Sequence, residues 1–64
     1  MKLRLKEFRN RRMLNQHELA VASGVPQAMI SQIETGDVQN PTIKTLHKLA
    51  RALRCTVDDL IEEE

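Results

Sequence analysis

Cysteine is nearly missing from this chain, and that scarcity limits what the protein can be. Cys55 stands alone, so no internal disulfide can form. One cysteine with two scattered histidines, His17 and His47, has no spacing that resembles a zinc site. Neither usual staple of a small scaffold is therefore at hand, and stability has to come from helix packing. No apolar run is long enough to cross a bilayer, and the basic start lacks the apolar stretch and small-residue cleavage site of a signal peptide. A cytoplasmic setting without a membrane partner is expected. There is no phosphate-cradling glycine loop, and Ser23 and Ser31 stand in no motif with a positioned His and acid. A chain of 64 residues has room for one domain, expected over the whole of 1–64, and for one small core. A separate catalytic domain is excluded; the chain is expected to be no enzyme and to hold no metal or cofactor.

A net charge of +1 is a weak signal, but the signs are segregated. Lys2, Arg4, Lys6, Arg9, Arg11 and Arg12 against Glu7 give residues 1–12 a balance of +5, whereas Asp58, Asp59, Glu62, Glu63 and Glu64 give residues 58–64 a balance of −5. A basic end attracts phosphate and an acidic end repels it, so a nucleic-acid surface would have to lie away from the C-terminus. An ordinary solvated surface carries charge of this kind as well.

The apolar spacing is helical throughout, and no stretch alternates like a strand. Leu5 and Phe8, with Leu14 beyond them, predict a first helix over residues 3–12. Asn15 three positions before Glu18 is a capping box that opens a second helix, which continues through Leu19, Ala20 and Ala22 and stops at Ser23-Gly24. Pro26 presets the backbone for a third helix, whose inward stripe of Ile30 and Ile33, preceded by Val25, ends at Gly36. Residues 37–41 read as a loop, because the residue before Pro41 avoids helical angles. Thr42 caps a fourth helix carrying Ile43, Leu46, Leu49, Ala50 and Leu53. Thr56 with Asp59 opens a short fifth helix carrying Leu60 and Ile61. Five short helices without internal repeats describe an all-α globule.

These features occur in one register: Asn15-Gln16-His17-Glu18-Leu19-Ala20, Ser23-Gly24-Val25, Ile30-Ser31-Gln32-Ile33-Glu34-Thr35-Gly36, Asn40-Pro41 and Leu46 to Leu53. In this the chain resembles the phage repressor/Cro-like (XRE-type) helix-turn-helix family from roughly Leu5 to Ile61. The resemblance implies a compact five-helix bundle of the lambda-repressor-like type, with the helix-turn-helix at about residues 15–36. It implies that the second helix lies across the phosphate backbone of double-stranded DNA and the third enters the major groove. At about 100° per residue, Ile30, Ile33 and Glu34 share one face of the third helix, while Ala28, Ser31, Gln32 and Thr35 point the other way. That small polar face suits a groove. Gln27, in the exposed first turn, and Gln32 can reach base edges, where an amide pairs with adenine, and Ala28 and Met29 offer apolar contact to a thymine methyl. Gln27, Ser31 and Gln32 would equally serve to solvate an outer face.

The resemblance further implies that Gln16 binds a phosphate at the start of the second helix, and it makes Asn40, Thr42 and Lys44 phosphate contacts. Simple capping geometry is the alternative at the start of the second helix. The resemblance also pairs Arg9 with Glu34 as a partly buried ion pair joining the first helix to the end of the third, with phosphate contact by Arg9 as the alternative. Met13 and Arg54 depart from the pattern by standing where the family has glycine, so a left-handed angle is expected at each. The third helix also departs from it in having no Arg or Lys. Cys55 is expected in the core, with redox sensing as the alternative. The function implied is a sequence-specific repressor that binds a palindromic operator as a homodimer, and Val57, Leu60 and Ile61 either supply the dimer contact or close the core. Low net charge and the cation-free third helix keep a second reading open: an antitoxin-like or adaptor module of the same fold whose main partner is another protein.

Overall fold

The computed structural model describes residues 2–62; Glu63 and Glu64, part of the acidic end, lie outside the described residues. The order is β1 (Lys2–Leu3), α1 (Leu5–Arg11), α2 (Gln16–Ser23), α3 (Gln27–Thr35), α4 (Ile43–Ala52), α5 (Val57–Leu60) and β2 (Ile61–Glu62). Local chemistry sets most of the boundaries. The Asn15 side chain accepts from the Glu18 N–H at 2.7 Å, and the Glu18 carboxylate accepts from the Asn15 N–H at 2.9 Å, closing the capping box of α2. Thr56 and Asp59 close the same arrangement for α5, and the Thr42 hydroxyl accepts from the Thr45 N–H at the start of α4. Such a cap is worth about 1 kcal/mol. Gly24 and Gly36 end α2 and α3 at φ of 76° and 89°. Nothing lies within 4 Å of the Cβ that either position would gain, so the left-handed angle alone favours glycine there.

Met13 and Arg54 hold φ of 57° and 55°, the left-handed angles expected of residues at glycine positions. Met13 lies two residues beyond the end of α1, and Arg54 lies two residues beyond the end of α4, after the capping Leu53.

Two regions differ from the sequence reading. Residues 2–3 are not helical but pair antiparallel with residues 61–62, Lys2 opposite Glu62 and Leu3 opposite Ile61, and the Arg4 N–H donates to the Leu60 carbonyl at 2.8 Å. Accordingly α1 starts at Leu5 and stops at Arg11, and Ile61 leaves α5 in an extended conformation. Helix periodicity cannot report a ladder between segments this far apart in sequence. Ile43 opens α4 but, unlike the rest of its apolar stripe, is 63% exposed, because as the first residue of the helix it precedes the turns that pack.

The core is Leu5, Leu19, Val25, Ile30, Ile33, Leu46, Leu49, Ala50, Leu53 and Leu60, with Leu3, Phe8, Leu14, Met29, Cys55 and Val57 among the half-buried residues packed with it. Leu19, Ile30, Leu49, Leu53 and Leu60 are the largest side chains fully enclosed. Burying each one stabilises the fold by about 1.5–3 kcal/mol. Leu60 closes the core, and Ile61 is half-buried in the ladder. Because α2 packs on both α3 and α4, the outward face of α3 is supported from behind by Leu19, Ile30 and Ile33.

Candidate nucleic-acid interface

The residues singled out on α3 separate into supports and presented groups. Ile30 and Ile33 are buried; Gln27, Ala28, Gln32 and Thr35 are exposed, and Ser31 is half-buried. Met29 is half-buried against the core, which leaves Ala28 as the exposed apolar group of the pair. The Thr35 hydroxyl donates to the Gln32 carbonyl at 3.2 Å, so the Gln32 amide is left as the long polar group of that turn. Asn40, Thr42 and Lys44 are exposed at and after the loop that follows α3. Thr42 is already engaged, since its hydroxyl also lies 3.0 Å from the Thr45 hydroxyl.

Behind this face, Arg9 and Glu34 form a forked ion pair. The Arg9 Nε donates to Glu34 Oε2 at 2.8 Å and Nη2 donates to Oε1 at 3.0 Å. A third nitrogen, Nη1, donates to the Leu14 carbonyl at 2.8 Å. The two side chains are 10% and 5% exposed, so Arg9 has little left to offer an external phosphate. Burial alone would raise the Glu34 carboxyl. Hydrogen bonds from Arg9 and Gln16, with the nearby charges of Arg9 and Lys6, outweigh it and hold the carboxyl below its usual range.

Sequence reasoning missed the contact of Gln16 with this pair: its Nε2 donates to Glu34 Oε1 at 3.2 Å. Gln16 and Glu34 are far apart in the chain, and no local spacing announces the bond. Gln16 is half-buried at the first position of α2, so the three residues tie α1, α2 and α3 together.

The basic start is largely engaged within the fold. Arg4 and Arg11 both bond to Glu7, at 2.8 Å and 2.9 Å, and their guanidiniums lie 5.1 Å and 4.6 Å from the centre of the Phe8 ring. The Arg12 Nε donates to the Leu53 carbonyl at 3.0 Å, and Lys2 lies 3.6 Å from Glu62. The i,i+3 and i,i+4 spacing of Arg4, Glu7 and Arg11 was available as a signal for part of this; the Arg12 contact had none. From Met13 to Ile43 there is no Lys or Arg at all, so Lys44 is the first cation after α3. Among the described residues no group of His, Cys, Asp and Glu could hold a metal ion, and no helix is long and apolar enough to cross a membrane.

Two helices joined by a tight glycine turn, the second of them presenting a short polar face over a rigid support, define a helix-turn-helix protein. The chain matches the helix-turn-helix family over residues 5–60 and belongs to it, as an XRE-type, Cro-like member. It is 40% identical over 57 residues to the uncharacterized HTH-type transcriptional regulator RghRB of Bacillus subtilis (strain 168), a match that covers 89% of this chain and 41% of that protein. It is 37% identical over 67 residues to an uncharacterized HTH-type transcriptional regulator of Archaeoglobus fulgidus, covering all of this chain and 93% of that one. The chain thus spans under half of the first relative and nearly all of the second. Its fold is similar to the N-terminal DNA binding domain of SinR from Bacillus subtilis, with a TM-score of 0.88 and 33% identity over 95% of this chain and 88% of that one.

Proposed function

We propose that this chain is a sequence-specific DNA-binding transcriptional regulator acting in the cytoplasm as a single domain over 1–64. It places α3 in the major groove and the start of α2 against the phosphate backbone. The observation that carries this reading is the exposed face of α3, Gln27, Ala28 and Gln32, standing on buried Ile30 and Ile33 in a fold matching a DNA binding domain. Gln27 and Gln32 read base edges, Ser31 and Ala28 fit close to them, and Met29 acts through packing. Gln16, Asn40, Thr42 and Lys44 meet phosphates, Thr42 through whatever its capping bond leaves free. A molecule 29 Å in its longest dimension falls short of the ~34 Å turn that separates half-sites. A symmetric site therefore takes two copies, and we propose a homodimer on a palindromic operator. Repression follows where occupancy of that operator blocks transcription.

Selection of bound sequences from a random pool of DNA duplexes, at stated salt, tests the reading. The expected product is an inverted repeat with half-site centres about 10 bp apart. Absence of enrichment from protein shown to be folded overturns it. One observation favours a second reading as a protein-interaction module: the stretch from Met13 to Ile43 has no cation, and phosphate attraction supplies most non-specific DNA affinity. Replacing Gln27 and Gln32 together by alanine separates the two. Specific DNA binding disappears under the first reading, and a protein partner is retained under the second.

A further inference from the structure

We propose that Glu34 is a positioning residue for the phosphate contact of Gln16, with Arg9 cancelling the charge that Glu34 would otherwise hold against the DNA; this rests on the DNA-binding reading above. A glutamine amide has a donor end and an acceptor end of nearly equal shape, and its neighbours decide which faces where. Ionised Glu34 can only accept. Its Oε1 receives the Gln16 Nε2 at 3.2 Å as well as the Arg9 Nη2 at 3.0 Å, and an amide turned the other way would set Gln16 Oε1 against a carboxylate oxygen. The carboxylate therefore selects one orientation of Gln16. Nε2 carries two hydrogens, so the second remains for an anionic oxygen arriving at the start of α2.

A carboxylate so close to an incoming phosphate would repel it if left uncompensated. The fork from Arg9 neutralises it at 2.8 Å and 3.0 Å, and Arg9 is itself held by the Leu14 carbonyl. Arg9 thus acts on DNA without reaching it, through the charge of Glu34. Because Glu34 sits in the last turn of α3 and Gln16 in the first of α2, the same contact ties the phosphate-contacting position to the base-reading helix.

A double-mutant cycle on the selected duplex tests this with the full chain: Gln16→Ala, Glu34→Gln and both, each measured at a temperature where unfolding curves show the variant folded. With Glu34 in place, Gln16→Ala is expected to weaken binding about tenfold; with Glu34→Gln, the same change should weaken it less than about twofold. Equal losses in the two backgrounds overturn the positioning role while leaving the DNA reading intact. A parent chain that enriches no sequence overturns both. Should Glu34→Gln fail to fold, the unaltered protein supplies the answer by nuclear magnetic resonance. The Gln16 side-chain amide signals are expected to move with the same acid midpoint as the Glu34 carboxyl carbon, and an amide indifferent to that titration overturns the proposal.

Discussion

At single residues, a strained backbone angle costs about 1 kcal/mol and a stranded buried charge several times more. Met13 is 90% exposed and, like Arg54, holds a left-handed angle. Met13→Gly and Arg54→Gly are each expected to stabilise the fold by about 1 kcal/mol in urea unfolding, since the gain from relieving a left-handed Cβ outweighs the added freedom of the unfolded chain. No gain at either site would mean that the side chain makes up the difference by its contacts. Arg9→Ala strands the buried Glu34 carboxylate and is expected to cost about 3–5 kcal/mol, whereas replacing both partners by apolar residues costs far less. The Glu34 carboxyl is depressed in the folded state, so its contribution is fully present above the ordinary carboxylate range and fades as pH falls through the lower folded value. Thermal melts between neutral pH and about pH 3 should therefore show an acid loss that shrinks in the doubly apolar variant. Cys55 behaves in the opposite sense. Burial, reinforced by Asp59 against the opposing charge of Arg12, pushes its thiol up, so alkylation at neutral pH should run slower than that of free cysteine. A rate equal to or above that of free cysteine would favour the redox-sensing alternative.

At the scale of elements, the boundaries legible in the sequence are those set by neighbouring residues. Asn15 with Glu18, Thr42, Thr56 with Asp59, Gly24 and Gly36 all act within a few positions of themselves, and each marks the end it was read to mark. Asn15→Ala should lower stability by about 1 kcal/mol without altering the remaining helices, as judged by urea unfolding and circular dichroism. Periodicity located the core faces of α3 and α4 because burial there repeats every three or four residues. Leu3 and Ile61 were misassigned for the converse reason. They have the composition of helix residues, and only their pairing with each other makes them extended. The candidate site divides along the same line: the outward set of α3 followed from helical geometry, but the bond between Gln16 and Glu34 belongs to two elements and left no trace in either. The bond of Arg12 to the Leu53 carbonyl was hidden similarly, whereas the pairing of Arg4 and Arg11 with Glu7 lay in their helical spacing, which a count of cations passes over.

For the whole molecule, the distribution of charge matters more than its total. With no cation from Met13 to Ile43, a dimer in which each Lys44 meets one phosphate should show log affinity falling against log salt with a slope of about −2. A slope several times steeper would mean that cations other than Lys44 meet the phosphates. The ladder between Lys2 and Glu62 has a different consequence. A fold in which residues 2–3 and 61–62 pair side by side can be joined there and cut elsewhere. A circular permutant joining the old ends by a short glycine linker and opening between Gln39 and Asn40 should retain the helices and unfold as one unit. Because Lys2 and Glu62 face each other, a segment leading into Lys2 and one leading on from Glu62 meet the bundle at the same corner, so the order in which a second domain is joined to it should matter little to where that domain sits.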